Sequence, residues 1–312
     1  MLGSRGVWPS IFDQIEYLCD ACSKTNPRPR NTTIRKRISE LLPNMFEGDP
    51  PSIQGNDPVV LTASFIKNMD VHFLPARGQA PSRRFELASV TLHPAYGSYG
   101  ILKKIVESEP KEYYKTLWSK SAEVPIWIGS CKFESPFDDV LEAFSETRFG
   151  GARVTHGAQE ALVTLCDAVG LISEGKLSAQ MSTDEVGSVP IAISKDKPIV
   201  EAIRKMVSHN IRRLFVEKEQ GKFISERTLI DYMFSPQRLG IARDHPELWI
   251  DESIGKLGTK APGRCGTGSL DEAAKAMGGA PDDCLMTDDW RVISRWDLVV
   301  KPWRAGKLDA AE

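Results

Sequence analysis

The sequence predicts an α/β fold of the α+β kind, in which one strand–helix–strand–strand–helix unit occurs four times behind a short N-terminal helix. Three observations predict it. Between Val189 and Leu229 the spacing of apolar residues switches from strand to helix and back. The same order of elements recurs at 124–174, and in weaker form at 50–106 and 250–297. The length of 312 residues, 41% hydrophobic and 26% charged, suits a folded chain of two globular domains.

Composition also excludes function classes. A formal net charge of −2 gives no global attraction to nucleic acid or to an anionic membrane. No apolar run approaches the length of a membrane span, so no membrane partner is expected. Met1 to Trp8 lacks the apolar core of a signal peptide, which points to the cytoplasm. Of the six cysteines only Cys19 and Cys22 are close in sequence, unlike a secreted disulfide framework.

Taken in order, Trp8 to Lys24 reads as an amphipathic helix through Ile11, Ile15, Leu18 and Cys22, broken at Asn26-Pro27-Arg28-Pro29-Arg30. Cys19 and Cys22 form a CxxC with no second pair to complete a zinc site, and read as two small thiols on one helix. Lys24 to Arg37 carries Lys24, Arg28, Arg30, Arg35, Lys36 and Arg37 and no acid. Such a block could contact phosphate or RNA, although no aromatic residues interleave to stack bases.

The first repeat reads as strand and helix start at Pro50 to Ile53 and Asp57 to Val60. Strands at Val71 to Pro75 and Phe85 to Leu92 follow, with an enlarged loop from Arg77 to Arg84, and a second helix runs from Gly100 to Val106. In the second, Val124 to Ile128 is a strand and Phe137, Val140, Leu141 and Phe144 supply a helix face. Ala152 to Thr155 and Ala161 to Leu165 are strands, and a helix begins at Asp167. The third runs Val189 to Ile193, then a helix through Ile199, Ala202, Ile203, Met206 and Val207, with Pro198 suited to its first turn. Asn210 to Val216 and Phe223 to Ser225 are strands around a turn at Gln220-Gly221. The fourth leads in at Ile250 to Ile254. Its helix is Leu270 to Met277 with Ser269 as N-cap, followed by strands at Cys284 to Thr287 and Arg291 to Ser294.

Ile211-Arg212-Arg213-Leu214-Phe215-Val216 carries the pattern I-x-R-L-x-V, and the strand after the hairpin ends in Ser225 before a helix. Thr164-Leu165-Cys166-Asp167 and Ser294-Arg295-Trp296-Asp297 add two copies of Thr/Ser-x-x-Asp. On these residues the chain resembles the CBS-domain family, with a layout similar to stand-alone archaeal CBS proteins and to the energy-sensing subunit of AMP-activated kinase. It departs at a shortened hairpin at Gly221, at Thr228 in place of Asp, and in the first repeat, where Pro94 stands where Asp is expected.

The resemblance implies that consecutive repeats pair into two pseudo-symmetric modules. The expected divisions are 1–30 for the helix and basic arm and 31–180 for the first pair (repeats at about 35–110 and 120–178). The second pair is 181–304 (repeats at about 183–237 and 248–304), and 305–312 form a tail. The linker is placed at Ser178 to Gly187.

No catalytic set is visible. His72, His93, His156, His209 and His245 show no metal-ligand spacing, and Gly263 to Gly268 lacks the Lys of a P-loop. No cofactor or metal is required, and the expectation is binding. A carboxylate at the start of a helix is held by backbone donors and the helix dipole, and can accept hydrogen bonds from both hydroxyls of a ribose. By resemblance, Thr164 and Asp167, and Ser294 and Asp297, hold the ribose of an adenine nucleotide (AMP, ADP, ATP or a related adenosyl ligand), with Ser225 a third position. Arg212 and Arg213 match positions that meet phosphates, to which guanidinium forks are suited, and His72 falls at the equivalent of Arg212. Against this stands the reading of Asp167 and Asp297 as plain helix caps.

The expected function is a non-catalytic regulator that senses nucleotide and acts on a protein partner the sequence does not name. The alternative is a CBS scaffold that binds protein, RNA or ribosomes with little ligand dependence, through Arg28 to Arg37 and the loop with Arg77, Arg83 and Arg84. CBS modules often pair into flat discs, so a homodimer belongs to the same expectation.

Overall fold

The structure is a computed structural model that describes residues 34–46, 52–69, 73–77, 91–109, 112–123, 125–219 and 221–311. The expected N-terminal helix, the Cys19/Cys22 pair, His72 and most of the basic arm lie outside the described residues.

Among the described residues, thirteen helices and fourteen strands follow one another in a repeating order. A one-turn helix α1 (Ile38–Leu41) precedes the first unit, which is β1 (Ile53–Gln54), α2 (Val59–Met69), β2 (Phe73–Arg77), β3 (Thr91–Gly97) and α3 (Ser98–Glu107). A short α4 (Tyr113–Trp118) leads to the second unit: β4 (Pro125–Lys132), α5 (Phe137–Thr147), β5 (Gly151–His156), β6 (Gln159–Thr164) and α6 (Leu165–Ser173). After β7 (Leu177–Ala179) and α7 (Thr183–Val186) comes the third: β8 (Ala192–Ile193), α8 (Ile199–His209), β9 (Arg213–Val216), β10 (Phe223–Ser225) and α9 (Glu226–Met233). Two helices, α10 (Pro236–Asp244) and α11 (Pro246–Trp249), separate it from the fourth: β11 (Gly263–Arg264), α12 (Leu270–Met277), β12 (Leu285–Met286), β13 (Val292–Ile293) and α13 (Arg295–Arg304). The last strand, β14 (Leu308–Ala310), pairs antiparallel with β7.

In every unit the first two strands are parallel across a crossover helix and the second and third form an antiparallel pair. The helices form where the apolar spacing demands. On α8, Ile199, Ala202, Ile203 and Met206 are buried, and the helix stops at Asn210, whose φ of 50° makes a left-handed cap. Ser269 caps α12 by accepting from the Glu272 amide, as its sequence position predicts.

Three expectations shift. β3 is seven residues long, so Pro94 sits inside it opposite Trp127, and the third position of the helix that follows is Gly100. The fourth unit's first strand is Gly263–Arg264, not the segment at 250–254, where Ile254 instead opens a 3-10 turn. And α10 and α11 fill residues 236–249, to which the sequence pattern assigned no element. Pro236 and Pro246 each occupy a first helical turn, and buried Trp249 anchors the pair by donating from Nε1 to the Met233 carbonyl at 2.9 Å.

The lead-in peptides are exchanged between neighbours. Arg37, ahead of the first unit, bridges to Pro136 of the second, and Lys120, ahead of the second, bridges to Pro58 of the first. Ser182, ahead of the third, bridges to Ser269 of the fourth, and Ser253, ahead of the fourth, bridges to Pro198 of the third. The segment read as a linker is therefore held against the fourth unit, with the Thr183 amide on the Gly268 carbonyl at 2.9 Å.

The cores close the four units into a ring. β3 and β4 join the first two units in one six-stranded sheet, over Phe73, Ala95, Ile126 and Ile128. Phe215, Phe223, Cys284 and Met286 pack the third and fourth sheets together. The helices pair the other way. Val59, Ile101 and Ile105 share a core with Ile199, Ile203 and Leu229, and Phe137, Phe144 and Val169 share one with Leu270, Met277, Leu298 and Trp303.

Candidate functional site

At the centre of this ring lies a cleft of about 890 Å³, within the size range of small-molecule sites. The second unit contributes Arg148 to Gly150, Leu162 and Thr164 to Cys166. The third contributes Ser188 to Ile191, His209 to Arg213, Phe215 and Arg227; the fourth contributes Asp283, Val292, Ser294 to Asp297, Lys301 and Arg304; the first contributes Phe73. Five of the residues singled out by sequence, Thr164, Arg212, Arg213, Ser294 and Asp297, thus line one cavity. Asp167 and Ser225 are not in its lining.

Two corners of the cleft are built alike. At the start of α6 the Thr164 amide donates to Asp167 Oδ2 at 2.7 Å and the Thr164 hydroxyl to the same oxygen at 2.8 Å, while the Cys166 amide donates to Thr164 Oγ1 at 3.2 Å. At the start of α13 the Ser294 amide and hydroxyl reach Asp297 Oδ2 at 2.8 Å and 2.6 Å. Both are capping boxes, which satisfy amides that the first turn leaves without intrahelical partners. The cap uses Oδ2 in both. Asp297 Oδ1 meets Lys301 Nζ at 2.7 Å, so a ligand hydroxyl there would share that oxygen with a lysine. Ser225 caps α9 in the same way with Thr228, and is fully inside the protein.

The walls are cationic. Arg148, Arg212, Arg213, Arg227, Arg295, Lys301 and Arg304 face Asp283 and Asp297. Arg212 donates to the Phe149 carbonyl at 3.3 Å and lies 3.8 Å from Glu226 Oε1, which ties the third unit to the second. Arg213 donates from Nε to the Asp282 carbonyl at 2.7 Å, so its fork is engaged by backbone. Arg295 pairs with Asp283 at 2.7 Å and touches Cys166 Sγ, linking the two capping corners. Arg304 holds Ser145 Oγ at 2.8 Å and stacks over Trp296. Among these cations, Val189, Pro190, Ile191, Phe73, Phe149, Leu162 and Val292 add apolar surface of the kind a planar base packs on.

Sequence reasoning missed Arg148, Arg227, Arg295, Lys301 and Arg304. The signal for two of them was present. Arg295 is the first residue of the helix that Ser294 caps and Arg227 the second of the helix that Ser225 caps, so both project beside the motif already marked. Arg148 carried none, because it faces the cleft through a left-handed C-cap (φ 58°).

The described end of the basic arm is stitched to the body of the protein. Lys36 Nζ donates to the Ala311 carbonyl, and Arg37 Nη1 lies 3.5 Å from Glu134 Oε2. Among the described residues no cluster of His, Cys, Asp and Glu could hold a metal ion, and no helix is long and apolar enough to cross a membrane.

The helix that carries Ser145 also holds Glu146, whose carboxyl is pushed up to about 7 by burial and by the charge of Glu142 one turn away. With an unfolded value of about 4.3, the folded chain binds the proton more tightly, so stability is full below the unfolded value and is lost as pH rises toward 7. Glu146→Gln is expected to remove this loss, raising stability at pH 8 by about 1 kcal/mol once screening of this half-exposed group by solvent is allowed for, with little change at pH 4. Urea unfolding at the two pH values checks it; equal gains at both would contradict it.

Residues 183–234 match the family model described as the CBS domain. The chain thus contains a CBS domain. In fold it is similar to the Methanocaldococcus jannaschii protein MJ1225, described as a proposed archaeal homolog of γ-AMPK. The TM-score is 0.68 at 15% identity, over 85% of this chain and 99% of that one. An uncharacterized conserved protein from Pyrococcus horikoshii aligns at TM-score 0.46 and 12% identity, over 81% of this chain and 96% of that one. The CBS-domain protein ATU1752 from Agrobacterium tumefaciens aligns at 0.33 and 14%, over 46% of this chain and 98% of that one. No curated protein matches the sequence. The matched stretch contains the third unit of the ring, and the other three units share its order of elements.

Proposed function

We propose that this CBS protein is a non-catalytic regulator that binds an adenine nucleotide in the central cleft and passes its occupancy to a protein partner. The observation that carries the reading is that Thr164 of one Thr/Ser-x-x-Asp corner and Ser294 and Asp297 of the other line one cavity together with several cations and apolar side chains. Thr164 with Asp167, and Ser294 with Asp297, would each hold a ribose. Arg212 and Arg295 would meet phosphate, and the wall from Val189 to Ile191 would take the base. The division into modules at 31–180 and 181–304 belongs to the same proposal, with each ribose corner in a different module.

Charged contacts dominate this site, so binding should weaken as salt rises. Titration of the protein with AMP, ADP, ATP and S-adenosylmethionine at low and moderate salt tests the reading. Binding of at least one, weakened by salt, is expected. No binding by any would turn the account toward a scaffold role.

A further inference from the structure

The third capping site lacks its carboxylate, since Thr228 stands where Asp167 and Asp297 stand in the second and fourth repeats. A carboxylate reaches it from elsewhere. Asp282, in the turn between α12 and β12 of the fourth repeat, takes the Ser225 hydroxyl on Oδ2. Its Oδ1 meets Lys260 Nζ at 2.8 Å and lies 3.9 Å from Arg227 Nη1, and its carbonyl accepts from Arg213 Nε at 2.7 Å. The side chain is 4% exposed. Asp282 and its neighbour Asp283 both hold left-handed φ, 46° and 56°, which residues with a Cβ adopt only where the surroundings impose it. Arg213 and Arg227 line the central cleft, whereas Asp282 lies behind them, outside its lining.

We propose that Asp282 is an internal anion that fills the third site and offsets the charge of Arg227 at the edge of the cleft, so that it lowers the affinity for phosphorylated ligands. The inference rests on the nucleotide reading of the same cleft. A ligand phosphate and the buried carboxylate compete for the charge of Arg227, because a guanidinium fork satisfies one anion at a time and the two anions repel. Removing the carboxylate's charge leaves the charge of Arg227 to the ligand, while Arg213 stays on the Asp282 carbonyl.

Asp282→Asn keeps the shape, the Ser225 contact and the carbonyl for Arg213 while removing the charge. Asp282→Gly removes the side chain and suits the left-handed backbone, so it is the second variant should the first fold poorly. The probes are ATP and inorganic pyrophosphate, titrated calorimetrically, with thermal melting to confirm folding. Both variants are expected to bind each probe about tenfold more tightly than the unaltered protein, a gain of the size that one charge-assisted contact carries. If the unaltered protein binds ATP and neither folded variant binds it more tightly, this inference is overturned and the nucleotide reading stands. If no form binds either probe, both are overturned.

Discussion

Trp303→Ala should lower the stability of the protein by about 3–5 kcal/mol, the range for truncating a large buried aromatic side chain. Trp303 is 6% exposed on α13 and sits in the core that joins the second and fourth repeats. Its indole Nε1 donates to Asp138 Oδ1 at 2.8 Å, across that junction to α5. Alanine leaves both a cavity and a buried carboxylate without the indole. Trp303→Phe separates the two contributions: it fills most of the volume and loses only the bond to a charged acceptor, for about 1.5–3 kcal/mol. Lys301 and Arg304 ride on the same helix and line the cleft, so nucleotide affinity should fall further in the alanine variant than in the phenylalanine one. Denaturant unfolding beside titration checks both statements. A loss below about 1 kcal/mol for the alanine variant would mean the second and fourth repeats do not share this core.

Asp297→Ala should weaken nucleotide binding by about 10- to 100-fold, since hydrogen bonds to a charged group are worth roughly 1.5–3 kcal/mol and each 1.4 kcal/mol is tenfold. The same change removes one half of a capping box and should cost about 1 kcal/mol of stability. Ser294→Ala distinguishes binding from capping. It also breaks the cap, because the Ser294 hydroxyl and Asp297 form it together, but it leaves the carboxylate in the cleft. If Asp297 were a cap and nothing more, both variants would lose similar stability and neither would change affinity. On the present account the aspartate variant loses much more affinity than the serine one. Dissociation constants measured beside melting temperatures decide between them.

Much of the fold was legible because each repeat states its own secondary structure locally. The spacing of Ile199, Ala202, Ile203 and Met206 specifies a helix with one buried face, and Ser269 marks the start of another. The two Thr/Ser-x-x-Asp corners were legible for the same reason, since a capping box is a contact between residues three apart. What the sequence left unread is long-range. Nothing local shows that the first repeat's helices pack on the third's while its sheet joins the second's. Nor does any local pattern show that Asp282 supplies to Ser225 the carboxylate that Thr228 lacks, from 57 residues away. The first repeat was read out of register because β3 extends to Gly97, beyond the point where the motif was sought. Arg213 was assigned to phosphate by position, and in the structure its fork lies on the Asp282 backbone, a partner that only the tertiary fold brings near.

The central claim is that the cleft between the repeats is a nucleotide site, with Asp297 in its lining and Asp167 behind Thr164 at the second corner. Calorimetric titration of the unaltered protein, Asp167→Ala and Asp297→Ala with AMP, ADP, ATP and S-adenosylmethionine tests it most directly. The account predicts that at least one ligand binds the unaltered protein and that each folded variant loses affinity for it. Absence of binding by all four ligands, or equal affinity in all three proteins, would contradict it.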